Sequence, residues 1–263
     1  MQKTLSANTM QLLNKVPEVT LYFWIIKLMA TTVGETAADF LNFNLNLGLT
    51  GTSFVMSAIL AAFLLMQIRA RKYTAWLYWV TVVLISVVGT LITDNLVDNL
   101  GVALETTTII FGVALLTTFI AWYMSEKTLS IHSIFTVKRE LFYWLAILFT
   151  FALGTAAGDL AAEGLKLGYA NSALIFTALI AGVAFSHYAF KANAVLTFWI
   201  AYILTRPLGA SLGDYLSQPL TDGGMGLGTA VTSFIFLATI LGLVIYLTIS
   251  RKDVRGEISS SAT

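Results

Sequence analysis

Hydrophobic residues run through this chain in long blocks that short polar segments separate. Runs such as "SFVMSAILAAFLLM" do not alternate apolar and polar positions, as the strands of a membrane barrel would. A helix that crosses a bilayer needs about 20 mostly apolar residues. The pattern therefore predicts eight membrane-spanning helices, at about 18–41, 51–69, 73–94, 104–124, 138–160, 169–189, 193–214 and 227–250.

Composition places the chain in the membrane class. Of its 263 residues, 57% are hydrophobic and 11% are charged, whereas a soluble domain carries about 25% charged residues. The absence of cysteine excludes disulfides, zinc–thiolate sites and thiol nucleophiles. A net charge of +1 gives no reason to expect a nucleic-acid partner. No cofactor motif is present, and we expect the lipid bilayer to be the surrounding partner.

The basic residues predict the orientation of the helices. Between the predicted spans, twelve Lys and Arg residues fall on the side that holds both termini, and Lys166 alone falls on the other side. Cytoplasmic loops carry the excess of Lys and Arg, so both termini are predicted to be cytoplasmic.

One pattern, W-x9-G-x4-D, occurs four times without gaps. Its tryptophans are Trp24, Trp79, Trp144 and Trp199, its glycines are Gly34, Gly89, Gly154 and Gly209, and its acids are Asp39, Asp94, Asp159 and Asp214. Internal repeats of this kind define the architecture. We predict a single transmembrane domain, 1–263, with two-helix repeats at about 15–70, 71–125, 135–190 and 191–250, in halves 1–125 and 126–250. Because each repeat holds two spans, all four copies enter the membrane in the same direction and form parallel repeats.

The fourfold pattern resembles a bacterial family of membrane proteins made of four tandem two-helix repeats of unknown function, each with one characteristic Trp. The resemblance covers nearly the whole chain. It implies a multi-pass protein of the bacterial inner membrane and a transporter, with export of a metal cation suspected.

The motif residues suggest different roles. Tryptophan is favoured at the membrane interface, so we expect the four Trp in an interfacial belt. The glycines lie about 15 Å further along, near the bilayer centre, where they allow close helix packing. The four aspartates lie about 22 Å from the tryptophans. An acid at that depth is costly and usually faces the bundle interior, so we expect a carboxylate site rather than a set of helix caps.

Two further charges extend the predicted site. Glu35 lies four residues before Asp39 and therefore on the same helix face. Arg206 lies seven residues after Trp199, which makes it either an internal counter-charge to the acids or a residue that reaches the cytoplasmic surface. Lys27 is expected to reach that surface. The asparagines Asn42, Asn44, Asn46, Asn95 and Asn99 add oxygen ligands just outside, and Asp98 and Glu163 are expected in solvated loops.

These features favour a membrane transporter, not an enzyme. Acids without Cys or clustered His make an all-oxygen site, which suits Mn, Mg, Ca or Al better than copper or zinc. Protons are a second expected partner, because a crowded acid site should release them when a metal binds. Two alternatives stay open: a passive cation channel, and an intramembrane aspartyl protease, since "AAGD" at 156–159 and "SLGD" at 211–214 are similar to the G-x-G-D motif.

Overall fold

The computed structural model describes residues 14–44 and 47–254, and within these ranges all regular secondary structure is helical. Eight long helices follow one another: α1 Leu21–Asn44, α2 Gly48–Arg69, α3 Ala75–Asp94, α4 Leu104–Glu126, α5 Val137–Asp159, α6 Tyr169–Phe190, α7 Ala194–Ser217 and α8 Thr229–Ser250. A π-helical turn continues α3 over Asn95–Asn99 and α5 over Leu160–Gly164. The predicted helices are therefore confirmed, with α3 and α5 longer than expected.

Seven of these helices, α2 to α8, are long and apolar enough to cross a membrane. The first helix is as long as the others but carries Lys27, Glu35 and Asp39, which lower its apolar content. The protein is thus a multi-pass membrane protein by composition. A membrane crossing by α1 stays a prediction.

The four motif helices, α1, α3, α5 and α7, form a closed ring. Each contacts the next along the chain, and α7 contacts α1. The second helix of each repeat packs outside the ring on the motif helix of the following repeat, so α2 lies on α3, α4 on α5, α6 on α7, and α8 returns to α1. The repeats are therefore related by a pseudo-fourfold axis through the ring.

The motif glycines explain how closely the ring helices approach. A methyl group at Gly34 would overlap Ser86 of the next motif helix, and Gly89, Gly154 and Gly209 have the same relation to Phe151, Arg206 and Thr31. Each of these neighbours lies three residues before the glycine of its own helix. The contact thus repeats in one register around the whole ring, which requires four parallel helices and a small residue at each crossing.

We expect Gly89→Ala to lower the free energy of unfolding by about 1–3 kcal/mol, because its new methyl group meets Phe151 and the backbone of Ala152. Gly182 is the matched control, since a methyl group there meets nothing within 4 Å. Gly182→Ala should be neutral or slightly stabilising, as alanine is the better helix former. Unfolding in detergent measures both variants, and a Gly89→Ala protein as stable as the wild type would contradict this packing.

Candidate cation site

The inner face of each motif helix carries residues at intervals of four, starting one residue before the tryptophan. Successive positions at this spacing are neighbours on the helix surface, and here they form a row that follows the ring axis. They stack in five layers of four side chains. The first, or aromatic, layer consists of Phe23, Tyr78, Tyr143 and Phe198, and the second, or lysine, layer consists of Lys27, Val82, Ile147 and Tyr202. The third, or arginine, layer consists of Thr31, Ser86, Phe151 and Arg206. The fourth, or glutamate, layer consists of Glu35, Thr90, Thr155 and Ala210, and the fifth, or aspartate, layer consists of Asp39, Asp94, Asp159 and Asp214.

The aromatic layer and the motif tryptophans form a collar at one end of the ring, here called the Trp end. Each tryptophan packs against the aromatic-layer residue of the preceding repeat, with ring centres 5.6 Å apart for Phe23 and Trp79 and 5.7 Å apart for Phe198 and Trp24. The Tyr78 and Tyr143 hydroxyls lie 2.5 Å apart across the collar.

The expectation of an interfacial tryptophan belt was wrong for three of the four repeats. Trp79, Trp144 and Trp199 are buried inside the protein, and Trp24 is partly buried. Burial against the neighbouring repeat offers an aromatic ring more contact area than the lipid interface does. The motif tryptophan therefore closes the ring of helices.

The lysine layer places a second cation on the axis, which the sequence did not predict. Lys27 is buried, so the expectation that it reaches the membrane surface was wrong. Its Nζ donates hydrogen bonds to the Tyr202 carbonyl, at 2.8 Å, and to the Thr205 hydroxyl. It also lies 4.3 Å from the centre of the Tyr202 ring. Within residues 14–44 and 47–254, no carboxylate lies within ion-pair distance of Lys27.

We expect Lys27→Met to leave the protein at least as stable as the wild type, because the change removes a buried charge that only neutral groups and aromatic rings compensate. Thermal unfolding in detergent measures the effect. A clear loss of stability in Lys27→Met would show instead that the hydrogen bonds of the ammonium group stabilise the fold.

The guanidinium of Arg206 bridges the arginine and glutamate layers. Its Nη2 donates to Glu35 Oε2 at 2.9 Å, to the Thr155 hydroxyl at 2.6 Å and to the Thr90 hydroxyl. Its Nη1 donates to the Thr31 carbonyl at 3.0 Å. Arg206 is fully buried and therefore does not reach the membrane surface. The first three repeats thus each contribute one glutamate-layer residue that contacts the guanidinium, and the fourth repeat contributes the guanidinium itself.

The aspartate layer brings part of the predicted carboxylate set together. Glu35, Asp159 and Asp214 offer oxygen atoms that all lie within 4.8 Å of one another. Asp39 and Asp94 occupy the equivalent layer positions, are partly buried, and lie outside this close group. None of the four aspartates caps a helix end, because α1 and α7 continue beyond Asp39 and Asp214 and π-helical turns follow Asp94 and Asp159.

The polar residues beyond the aspartates have different surroundings. Asn95 donates to the Ser53 hydroxyl at 2.6 Å and accepts from Thr50 and Asn99, so it joins α2 to the turn after α3. Asn44 is exposed and donates to the backbone of its own helix, Asn42 is partly buried, and Asn46 lies outside the described residues. Asp98 and Glu163 are exposed, and Glu163 accepts from the Tyr169 hydroxyl.

A segment before α1 covers the Trp end. Lys15 is buried there and its Nζ lies 2.6 Å from Glu140 Oε2, while its backbone N–H donates to the Ile134 carbonyl. On the same side, the Tyr73 hydroxyl donates to the carboxylate of Asp253, and burial raises the pKa of Asp253. Between the Trp end and the site acids therefore lie this cover, the collar and the two axial cations, Lys27 and Arg206. Partly exposed aspartates lie at the opposite end.

These features define a class: a polytopic helical membrane protein in which four parallel two-helix repeats enclose a charged axis. The model of the family described as Repeat of Unknown Function (DUF347) matches four successive segments, residues 22–73, 77–128, 142–193 and 197–253. The chain belongs to this family, as the fourfold sequence pattern predicted. No curated protein and no solved structure matches the chain.

Proposed function

We propose that this protein transports a hard multivalent metal cation through the site that Glu35, Asp39, Asp94, Asp159 and Asp214 form with Arg206. The observation that carries the proposal is the close group of three carboxylates, Glu35, Asp159 and Asp214, on the axis of a membrane bundle. Carboxylate oxygens at this separation can turn toward one ion, and without thiolates or imidazoles they select Mn, Mg, Ca or Al over copper and zinc.

Arg206 supplies the charge that the transported ion replaces. Its guanidinium lies 2.9 Å from Glu35 and so offsets one of the crowded acids. A metal ion that approaches Asp159 and Asp214 competes with this guanidinium for Glu35. Binding of the metal would then free Arg206 from the glutamate layer and loosen the contact between α1 and α7, which links occupancy of the site to a movement of the ring.

The proposed orientation decides which end of the site faces each side of the membrane. We place all eight helices across the bacterial inner membrane with both termini in the cytoplasm, because the basic residues lie at the Trp end. The aspartate layer then faces the periplasm. The family resemblance implies export. For export, the cover and the collar at the Trp end would open so that metal enters the site from the cytoplasm.

A labelling experiment tests this orientation. Because the chain has no cysteine, Lys252→Cys introduces a single thiol, at an exposed position just beyond α8. We expect a membrane-impermeant maleimide to label it in inverted vesicles and not in intact cells. Cys at Lys166, in the loop after α5, is the matched control and should give the opposite result. Labelling of the Lys252→Cys protein from outside intact cells would contradict the topology.

Proton exchange would drive the export. A hard cation binds the deprotonated acids, so metal and protons compete for the same oxygens. Metal affinity should rise with pH and fall on acidification, and the acidic outer face of an energised membrane would discharge the metal. No nucleotide-binding motif is present in the sequence to supply another energy source.

Purified protein in liposomes with a trapped pH dye tests the function. We expect saturable uptake of Mn²⁺ or Mg²⁺ and, under an imposed pH gradient, proton movement in the opposite direction. Saturable flux without proton movement would leave a uniporter. The absence of flux for every hard cation would refute the transporter.

An aspartyl protease is the second candidate, because Asp159 and Asp214 come within 4.8 Å of each other and two close acids can share a proton. The third acid, Glu35, and its arginine partner are not needed for that chemistry and favour transport. Cleavage of a helical membrane peptide by the wild type, and its loss in Asp159→Asn, would establish the protease. A passive channel fits less well, since the axis is filled with side chains at the Trp end.

A further inference from the structure

A cavity of about 480 Å³ lies near the Trp end between α1, α6 and α7, under the loop that precedes α5. Both histidines of the chain, His132 and His187, line it, and so does Trp24. This cavity lies outside the axial site, on the seam where the fourth repeat meets the first. Nothing in the proposed transport mechanism uses it.

The cavity lies at a position where the repeats carry different side chains. His187 lies 45 residues after the start of the third family match, where the second repeat has Trp122 and the first has Gln67. Trp122 and Gln67 are both buried. Trp122 packs edge-on against the motif tryptophan Trp199, with ring centres 5.8 Å apart. His187 is smaller than Trp122, and it lines the cavity together with Trp24, the motif tryptophan that is only partly buried.

The lining of the cavity is polar at one end and apolar along its length. Ser130, His132, His187 and Thr197 lie toward the Trp end. Ile180 and Val183 of α6 extend the wall deeper, and Ile180 lies ten residues before the end of its helix, or about 15 Å. Within α6 only Ser172 is buried, so this helix faces the bilayer along its length.

We propose that the cavity binds one phospholipid from the leaflet at the Trp end, with an acyl chain along α6 in the place that Trp122 fills in the second repeat. The volume lies in the range of small-ligand sites, about 300–1,000 Å³, and the distribution of polar and apolar lining matches a lipid that enters from its own leaflet. The lipid completes the packing around Trp24 and thereby stabilises the seam between the first and last repeats.

The headgroup position favours an aminophospholipid. The Ser130 hydroxyl and a ring N–H of His132 can donate to phosphate oxygens, whereas the Nδ1–H of His187 donates to the Ala192 carbonyl. The carboxylate of Glu18 lies 3.8 Å from His132 Nδ1 and is partly exposed, so it can accept from an ammonium group. Phosphatidylethanolamine carries both groups, whereas phosphatidylglycerol offers no cation to Glu18.

Native mass spectrometry of the detergent-purified protein, incubated with phosphatidylethanolamine or phosphatidylglycerol, tests the proposal. We expect one tightly held phosphatidylethanolamine on the wild type and weaker retention of phosphatidylglycerol. His187→Trp copies the second repeat into the third and should abolish retention. Ala184→Phe fills the cavity from α6 and decides the question if His187→Trp does not fold.

Leu179→Trp is the matched control, because Leu179 lies on the exposed face of α6 outside the cavity. It should keep the lipid. Undiminished retention in folded His187→Trp or Ala184→Phe would overturn the site, and equal retention of both lipids would overturn the headgroup assignment. Neither outcome depends on the identity of the transported ion.

Discussion

Asp159→Asn and Asp214→Asn should each reduce metal transport at subsaturating metal by more than about 100-fold. Loss of a residue that only supports a metal ligand commonly costs 10–100-fold in affinity, and a lost carboxylate ligand should cost more. Both aspartates belong to the close group with Glu35. Asp39→Asn and Asp94→Asn remove the same chemical group from outside that group and should have smaller effects.

Asp98→Asn is the control for this series. Asp98 is exposed and lies four residues beyond Asp94, so its replacement changes the charge near the site and leaves the proposed ligands in place. Initial rates of flux over a range of metal concentrations, with thermal unfolding measured for each variant, separate lost binding from lost folding. If Asp98→Asn and Asp159→Asn lower the rate of transport equally, the acids act only through the electrostatic potential that they create near the site.

Arg206→Met should lower the free energy of unfolding by about 3–5 kcal/mol, since removing one partner of a buried ion pair leaves the other charge uncompensated. The lost guanidinium also donates to the Thr31 carbonyl and the Thr155 hydroxyl. The double variant with Glu35→Gln removes both charges and should recover most of that loss. A double-mutant cycle measures the coupling between Arg206 and Glu35 directly.

The partly exposed pair of Arg139 and Glu126, 2.9 Å apart, is the internal control, and its coupling should be far weaker because solvent screens the two charges. Arg206→Lys should restore only part of the stability, because an ammonium group lacks the fork that reaches Glu35 and two threonines together. Additive effects of Arg206→Met and Glu35→Gln would mean that the two charges do not support each other.

Much of the fold could be predicted from the sequence, because a bilayer requires each spanning helix to be apolar along its own length. Apolar runs of about 20 residues predicted every long helix to within a few residues. The gapless fourfold motif predicted the repeats, and the depth of the aspartates predicted that they would face inward. The π-helical turns after Asp94 and Asp159 carried no signal of this kind, because they depend on how the helix ends opposite the Trp end pack.

The charges near the Trp end were harder to place. Distance from Trp24 suggested that Lys27 could reach the surface, but this reasoning assumed that the tryptophans mark the interface. They pack inside the ring, so Lys27 lies deep in the axis. Spacing by four residues through Phe23, Lys27, Thr31, Glu35 and Asp39 was the available signal, since it places each side chain beside the next in a continuous row along the helix.

The return of α8 onto α1 gives the architecture a property that linear repeat proteins lack. A solenoid needs distinct end units, because its first and last copies each expose one packing face to solvent. Here every repeat has a neighbour on both sides, so none is terminal. The packing of the repeats therefore does not depend on which copy comes first in the chain. A circularly permuted chain that begins at α3, with α8 linked to α1, preserves every contact between helices. By the same reasoning, two identical half-length chains of two repeats each could close the ring as a dimer, with no packing surface left over.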